Sequence, residues 1–487
     1  MKAKNILIIA LTFITFNNII KGQIHFNEHV LDTEVNGISG LQSCDIDGDG
    51  YNDIIAASTN SDKIIYYRND GGIPVSFTKF YVDENFDQAL YLCCGDINND
   101  SRPDIAATSS NAGVVAWWKN NGDNPLTWTK QVIETGFDNS HGISICDIDN
   151  DGIMDIVATA AGANTIAWWK NDGNENITWT KQIITSSFAR TQTVFTTDID
   201  NDGDIDVLGG SSESNEIALW VNNGGDPISW YKYTIGTNFA LAHWVYAADV
   251  DGDGLTDVIG AAYTSSQIAW WKNDGGDPSN WTKYTIGGVF LGALTVHADD
   301  LDNDGDTDLL GTAWVGDDIA VWLNQDDSPV TWSKVTLDFS NNGVWPIITS
   351  DLDNDGDVDV ITGADVLGGP GTSAPLTWWE NELITDVEDN VGSIPTGFEL
   401  KQNYPNPFNP STNISFTLKE DSHITLEIYD VTGKLISKLI NATQSAGAHS
   451  LQWNGRNLHN QKVSAGLYIA KLSDRKSTQQ IKMLLLK

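Results

Sequence analysis

Residues 198–206 read DIDNDGDID and set five carboxylates, Asp198, Asp200, Asp202, Asp204 and Asp206, into nine positions. Close variants begin at Asp45 (DIDGDGYND), Asp96 (DINNDSRPD), Asp147 (DIDNDGIMD), Asp249 (DVDGDGLTD), Asp300 (DLDNDGDTD) and Asp351 (DLDNDGDVD), each 51 residues from the next. A lone acidic block reads as a solvated or disordered tail. A block that returns at a fixed period belongs to a repeated structural unit.

One period, taken from His141, runs HGISIC, DIDNDGIMD, IVATA, a Gly/Asn-containing turn, TIAWWKN, a second turn, then TWTKQII. Short β-branched and aromatic runs between turn clusters, without helical periodicity, give four strands per unit. Four strands every 40 to 50 residues is the pattern of a propeller blade. The expected fold is therefore all-β: a seven-bladed propeller over residues 23–382. Aromatic residues keep the same frame. One series is Tyr67, Trp118, Trp169, Trp220, Trp271, Trp322 and, after a longer turn, Trp379; another is Phe26, Phe77, Trp128, Trp179, Trp230, Trp281 and Trp332; a third is Phe86, Phe137, Phe188, Phe239 and Phe290. Their regularity predicts packing between blades. Phe26 precedes the first acidic loop and nothing equivalent follows Trp379, so the N-terminal strand is expected to complete the last blade and satisfy its open edge.

Each loop has the form D-x-D-x-D-G-x-x-D. Alternate carboxylates, a Gly for a left-handed turn and a further Asp suit a hard cation that takes six to eight oxygens. The ligand positions are Asp45, Asp47, Asp49 and Asp53; Asp96, Asn98, Asp100 and Asp104; Asp147, Asp149, Asp151 and Asp155; Asp198, Asp200, Asp202 and Asp206; Asp249, Asp251, Asp253 and Asp257; Asp300, Asp302, Asp304 and Asp308; Asp351, Asp353, Asp355 and Asp359. A backbone carbonyl at the seventh position would add a ligand. Ca²⁺ fits better than Mg²⁺, which keeps its waters, or zinc, which prefers His and Cys. An EF-hand starts alike but needs Glu at its twelfth position, where the first loop has Ala56, and helices where this chain has strands. The second loop departs from the pattern at Asn98, Ser101, Arg102 and Pro103, so its site is expected to be the weakest of up to seven. Sevenfold repetition also argues against a glycosidase pair, which needs two carboxyls in unlike surroundings. The loops and their period resemble the FG-GAP or VCBS repeats of calcium-binding propellers, a fold that hosts both adhesins and enzymes.

The net charge of −39 is uneven: from Phe398 onward eleven Lys and Arg face six Asp and Glu, so the body before it is more acidic still. Such a body excludes nucleic acid as a partner and favours cations. MKAKN followed by ILIIALTFITF and NNIIKGQ reads as a secretory signal peptide over residues 1–22, with cleavage near Gly22, and no other segment is apolar enough for a transmembrane helix. Cys44, Cys93, Cys94 and Cys146 do not make a disulfide framework; they read as small buried residues, with pairing of Cys44 to Cys93 or Cys94 left open.

After a linker at 383–397, residues 398–487 alternate (NISFTL, ITLEIYD, HSLQWNG, GLYIAKL, IKMLLLK) between Gly turns, as a small Ig-like β-sandwich does, and proline at 405, 407 and 410 fixes an extended entry. QNYPNPFNPST, YDVTGKLI, the W-N-G triplet and SAGLYIAKL closely resemble the type IX secretion sorting domain of Bacteroidota, whose members end in a short apolar-basic run as IKMLLLK does, up to Lys487. The resemblance implies type IX machinery as a partner and release from, or display on, the outer membrane of a Gram-negative cell.

Function is expected where the repeats differ, on the face opposite the acidic loops. Six residues before each loop stand Ser39, Leu90, His141, Gln192, His243, Leu294 and Trp345, with Arg190, Trp244, Tyr263 and Trp314 in or near the same connections. They suggest either a partly aromatic, partly cationic pocket near the axis, suited to a sugar or peptide, or side chains that fill the funnel of the ring. Two readings follow. One is a monomeric secreted or surface propeller that binds an extracellular glycan or protein; the other is a polysaccharide-degrading lyase or hydrolase with His141 and His243 as acid and base.

Overall fold

The computed structural model describes residues 24–382, except 36, 73, 326–328, 339–342 and 365–374, and residues 399–485, except 402, 404–405, 407, 409–411, 420–421, 445–446, 459–460, 475 and 477. The signal segment, the linker, Pro405, Pro407, Pro410 and Lys487 lie outside the described residues. These residues fall into two compact units, divided between Asp386 and Val387.

The first unit consists of seven four-stranded antiparallel sheets, and no helix occurs among its described residues. Blade 1 runs Ile38–Cys44, Asp53–Ser58, Lys63–Asn69 and Phe77–Asp83, and blades 2 to 6 repeat that order. Blade 7 takes three strands from Val344–Ser350, Asp359–Ala364 and Leu376–Asn381; its fourth is the N-terminal Phe26–Asp32, which pairs Phe26 with Asn381 and Glu28 with Trp379. The ring thus closes by joining the two ends of the propeller chain, as its aromatic register predicts.

Cores form between blades. One cluster joins Ile55 and Ile64 of blade 1 to Phe86, Ile105 and Trp118 of blade 2, and comparable clusters occupy each of the other blade junctions. The aromatic series explain their regularity. Phe86, Phe137, Phe188, Phe239 and Phe290 meet Trp118, Trp169, Trp220, Trp271 and Trp322 edge-on, with ring centroids 4.8–5.1 Å apart. Lys130, Lys181, Lys232, Lys283 and Lys334 lie over these pairs, within 5.0 Å of the Phe rings. Each lysine spreads its stem over apolar surface and keeps its charge against the ring faces.

One first-strand bridge was left open by the sequence: Cys44 of blade 1 and Cys94 of blade 2 form a disulfide, while Cys93 and Cys146 are free. In the second unit, Glu399–Leu400, Thr412–Leu418 and Gly447–Trp453 form one sheet, and Leu435–Gln444, Ser422–Asp430, Gly466–Ser473 and Thr478–Leu485 the other. Both bury side chains around Trp453, which meets Phe408 and Tyr468. Tyr468 donates its hydroxyl to the Ser464 carbonyl, a corner contact typical of Ig-like sandwiches.

Candidate functional site

Every acidic loop joins the first and second strands of its blade, so all seven lie at one end of the ring. The loop at Asp198 shows how its backbone is held. Asp198 accepts the N–H groups of Asp202 (3.1 Å) and Gly203 (2.9 Å), and Asp202 accepts that of Asp204 (2.9 Å). Gly203 has φ +95°, which explains the glycine at the sixth position. At the ninth position Asp206 is fully buried and accepts the N–H of Ile199 (3.0 Å) and of Asn222 (2.8 Å). Burial pushes its carboxyl up to about 7, against the lowering effect of those N–H donors. The other ninth-position aspartates are also raised by burial, to about 7, or about 8 for Asp359.

The loop geometry brings carboxylates together. Oxygens of Asp45, Asp47 and Asp53 lie within 4.8 Å of one another, as do those of Asp147, Asp149 and Asp155; Asp198, Asp200 and Asp206; Asp249, Asp251 and Asp257; and Asp300, Asp302 and Asp304. At the third position Oδ1 of Asp149, Asp200 and Asp251 is buried and accepts no hydrogen bond. The second loop differs: Asn98 donates to Asp104 Oδ2 (2.8 Å), Arg102 holds Asp100 Oδ2 (2.5 Å), and Ser101 takes φ +65° where the other loops have glycine.

A recurring residue that the sequence reading passed over ties these loops together. The last residue of each third strand is a buried asparagine: Asn69, Asn120, Asn171, Asn222, Asn273, Asn324 and Asn381. Its N–H binds the ninth-position aspartate of its own blade, and its side-chain amide reaches the carbonyl of the second loop residue in the preceding blade. Asn222 donates to Ile148 O at 3.0 Å, and Asn69 closes the ring on Leu352 O at 2.7 Å. The fourth loop position adds links: Asn150 donates to Gly203 O (3.1 Å) and Asp204 Oδ1 (2.6 Å) of the next loop. The Asp204 side chain thus serves a neighbouring loop.

At the far end of the first strands, rings crowd the axis. Tyr91 packs against Trp244 (5.4 Å), His141 (6.1 Å) and Trp345 (6.3 Å), while Trp345 also meets Trp314 (5.8 Å) and His243 (5.7 Å). His141, His243, Trp244, Trp314 and Trp345 therefore converge as a plug. Tyr91, which sequence reasoning missed, lies at its centre. Burial pushes His141 down to about 3, with His243 and Arg190 adding repulsion, and His243 down to about 4 against the raising effect of the Leu294 carbonyl. Gln192 is buried and donates to Ser212 Oγ (3.0 Å), Tyr263 is half-buried, and Arg190 is exposed.

Two of the residues six before the loops also bond to the neighbouring blade. Ser39 Oγ donates to Leu90 O (2.9 Å) and His243 Nδ1 meets Leu294 O (3.1 Å), each the equivalent residue of the next blade. A bulge in each first strand, such as that between Ile38 and Gly40, shifts the pleat. Below the plug is a cavity of about 330 Å³, lined by Gln42, Ser144, Phe195, Tyr246, His297 and Ile348 among others.

Five overlapping stretches, residues 45–107, 96–158, 155–209, 198–260 and 249–311, match the FG-GAP-like repeat, and residues 405–477 match the FlgD Ig-like domain. No curated protein matches the sequence. Among solved structures, BBS1N in complex with ARL6DN, soaked with mercury, is similar with a TM-score of 0.49 and 10% identity, over 74% of this chain and 96% of that one. PorZ, a surface component of the type-IX secretion system of Porphyromonas gingivalis, is similar with a TM-score of 0.43 and 16% identity, over 89% of this chain and 58% of that one.

Proposed function

The chain belongs to the FG-GAP-like repeat family, and on that premise we propose that it is a secreted or cell-surface propeller that binds calcium, one ion per blade, and presents its ring to an extracellular glycan or protein. The third-position carboxylate carries the calcium reading. Oδ1 of Asp149, Asp200 and Asp251 is buried and unpartnered, and each of these residues has a carboxylate oxygen within 4.8 Å of oxygens of the first- and ninth-position aspartates. A buried anionic oxygen without a donor is costly, and a hard dication that takes oxygens from several side chains removes that cost. The aspartates at positions one, three, five and nine would hold the ion, with the blade 2 site weakest because Asn98 and Arg102 already occupy two of its carboxylates. Bound ions would offset much of the loop charge and pin the first two strands of each blade together.

The half-buried Tyr263 and the exposed Arg190, which flank the plug, and Trp314, which joins the plug through Trp345 yet stays half-buried, are the recognition candidates on the face opposite the loops. An aromatic face beside a guanidinium suits an anionic sugar or an acidic peptide. The β-sandwich unit would serve as the type IX sorting domain, a reading that rests on its motifs. Glycan-array binding by the propeller, reduced at least tenfold by Trp314→Ala and Arg190→Ala, is the expected result; binding unchanged in both variants would discard this surface.

A further inference from the structure

Apart from the second, the loops are alike, but the third-strand residue before the buried asparagine is not. Immediately before the buried asparagine stand Arg68, Lys119, Lys170, Val221, Lys272, Leu323 and Glu380. In blades 3 and 5 this residue reaches the loop. Lys170 Nζ contacts Asp149 Oδ2 and lies 2.9 Å from Asp151 Oδ2; Lys272 Nζ contacts Asp251 Oδ2 and lies 2.5 Å from Asp253 Oδ2. In both loops the lysine takes the outer oxygen of the third-position aspartate, while Oδ1 of the same carboxylate stays buried and unpartnered. The ammonium therefore does not fill the cation position. It neutralises part of the charge of two ligands from outside. Blade 2 has a similar arrangement, with Arg102 at 2.5 Å and Lys119 at 3.7 Å from Asp100 Oδ2. Val221 and Leu323 bring no charge to blades 4 and 6, and in blade 7 Glu380, held by His29 at 2.7 Å, brings a negative one.

We propose that Lys170 and Lys272 are built-in counter-cations that set the sites of blades 3 and 5, together with that of blade 2, apart as weaker than those of blades 4, 6 and 7; in blade 1 Arg68 pairs with Asp70 instead of a loop ligand, and that site is assigned to neither class. This rests on the calcium reading above. Two physical effects act together. A dication entering beside an ammonium that shares its ligands meets repulsion, and affinity follows the charge that the ligand set presents. Without the dication, the same lysine relieves repulsion among carboxylates and holds the loop closed. Blades 3 and 5 would then keep their shape as calcium falls, and blades 4, 6 and 7 would depend on the ion.

The test uses the full chain stripped with EGTA and titrated with CaCl₂ by calorimetry, alongside thermal melts with and without calcium. Lys170→Met with Lys272→Met keeps the apolar stems and removes both charges; Lys170→Arg with Lys272→Arg keeps them. The methionine pair is expected to tighten two sites by on the order of tenfold and to lower the melting temperature only in EGTA, whereas the arginine pair leaves the isotherm as in the parent. A parent that takes up calcium with the same isotherm as the methionine pair overturns the two-class proposal alone. A parent that takes up no calcium overturns the calcium reading, and the proposal with it. If the methionine pair melts earlier with calcium as well as without, the lysines are merely structural and the proposal fails.

Discussion

Replacing Asn222 by alanine removes a link that is repeated around the whole ring. The side chain is 1% exposed, donates to Ile148 O (3.0 Å) in blade 3 and Ile205 O (3.2 Å) in its own blade, and accepts the N–H of Gly224 (2.9 Å). Alanine leaves three backbone groups without these partners, at a net cost of about 3 to 5 kcal/mol. Unfolding entropy of about 2 cal/mol/K per residue over roughly 360 residues makes about 0.75 kcal/mol per degree, so the melting temperature should fall by about 4–7 °C. Asn222→Asp separates this account from simple loss of packing. It keeps the acceptor for Gly224 but turns a carboxylate toward two carbonyls, beside Asp206, and should be worse than alanine. Differential scanning calorimetry of both variants provides the check. A loss below about 1 °C for Asn222→Ala, or an aspartate variant at least as stable as the alanine one, would refute the role assigned to this asparagine.

Three further outcomes follow from the packing. His141 and His243 are held neutral, at about 3 and about 4, whereas in the unfolded chain they protonate near 6.5; their contribution is whole above pH 6.5 and is lost as pH falls towards 4, by about 3 kcal/mol each. Urea midpoints of His141→Gln/His243→Gln should therefore depend less on pH in that window than those of the parent, and parallel curves would contradict this. A Cβ on Gly142 would lie 2.6 Å from Val194 N and 2.9 Å from Thr193 Cα, so Gly142→Ala should destabilise by about 1–3 kcal/mol in chemical denaturation; a neutral change would mean that neighbouring first strands separate easily. Thiol titration of the unfolded, unreduced protein should find two groups, Cys93 and Cys146, and four after reduction; four before reduction would exclude the Cys44–Cys94 bridge.

The features legible in the sequence are those set by local periodicity. Alternation gives the strands, the 51-residue spacing gives the blades, and the unmatched Phe26 gives the closure, because each depends on residues close in the chain or equivalent across repeats. The buried asparagine was visible too, as the one polar residue of fixed identity after each aromatic run, but its use is non-local: its partner lies 74 residues away in Ile46, Ile97 or Ile148. The full lining of the axis was not legible for a different reason. A bulge at the start of each first strand moves the pleat, so the axis receives Tyr91 and Trp244 from one position on, and Phe195, Tyr246 and His297 from three positions on. The disulfide likewise depends on how neighbouring first strands meet, since Cys44 pairs with a residue 50 positions away, one short of the repeat.

Calcium at the loops is the claim on which the rest depends, and calorimetric titration of the EGTA-stripped full chain tests it most directly. The account predicts saturable uptake of more than one Ca²⁺ per chain, up to seven, reduced by one when Asp198→Asn and Asp200→Asn are combined in the blade 4 loop. A titration that shows no saturable heat, with a melting temperature identical in calcium and in EGTA, would contradict it.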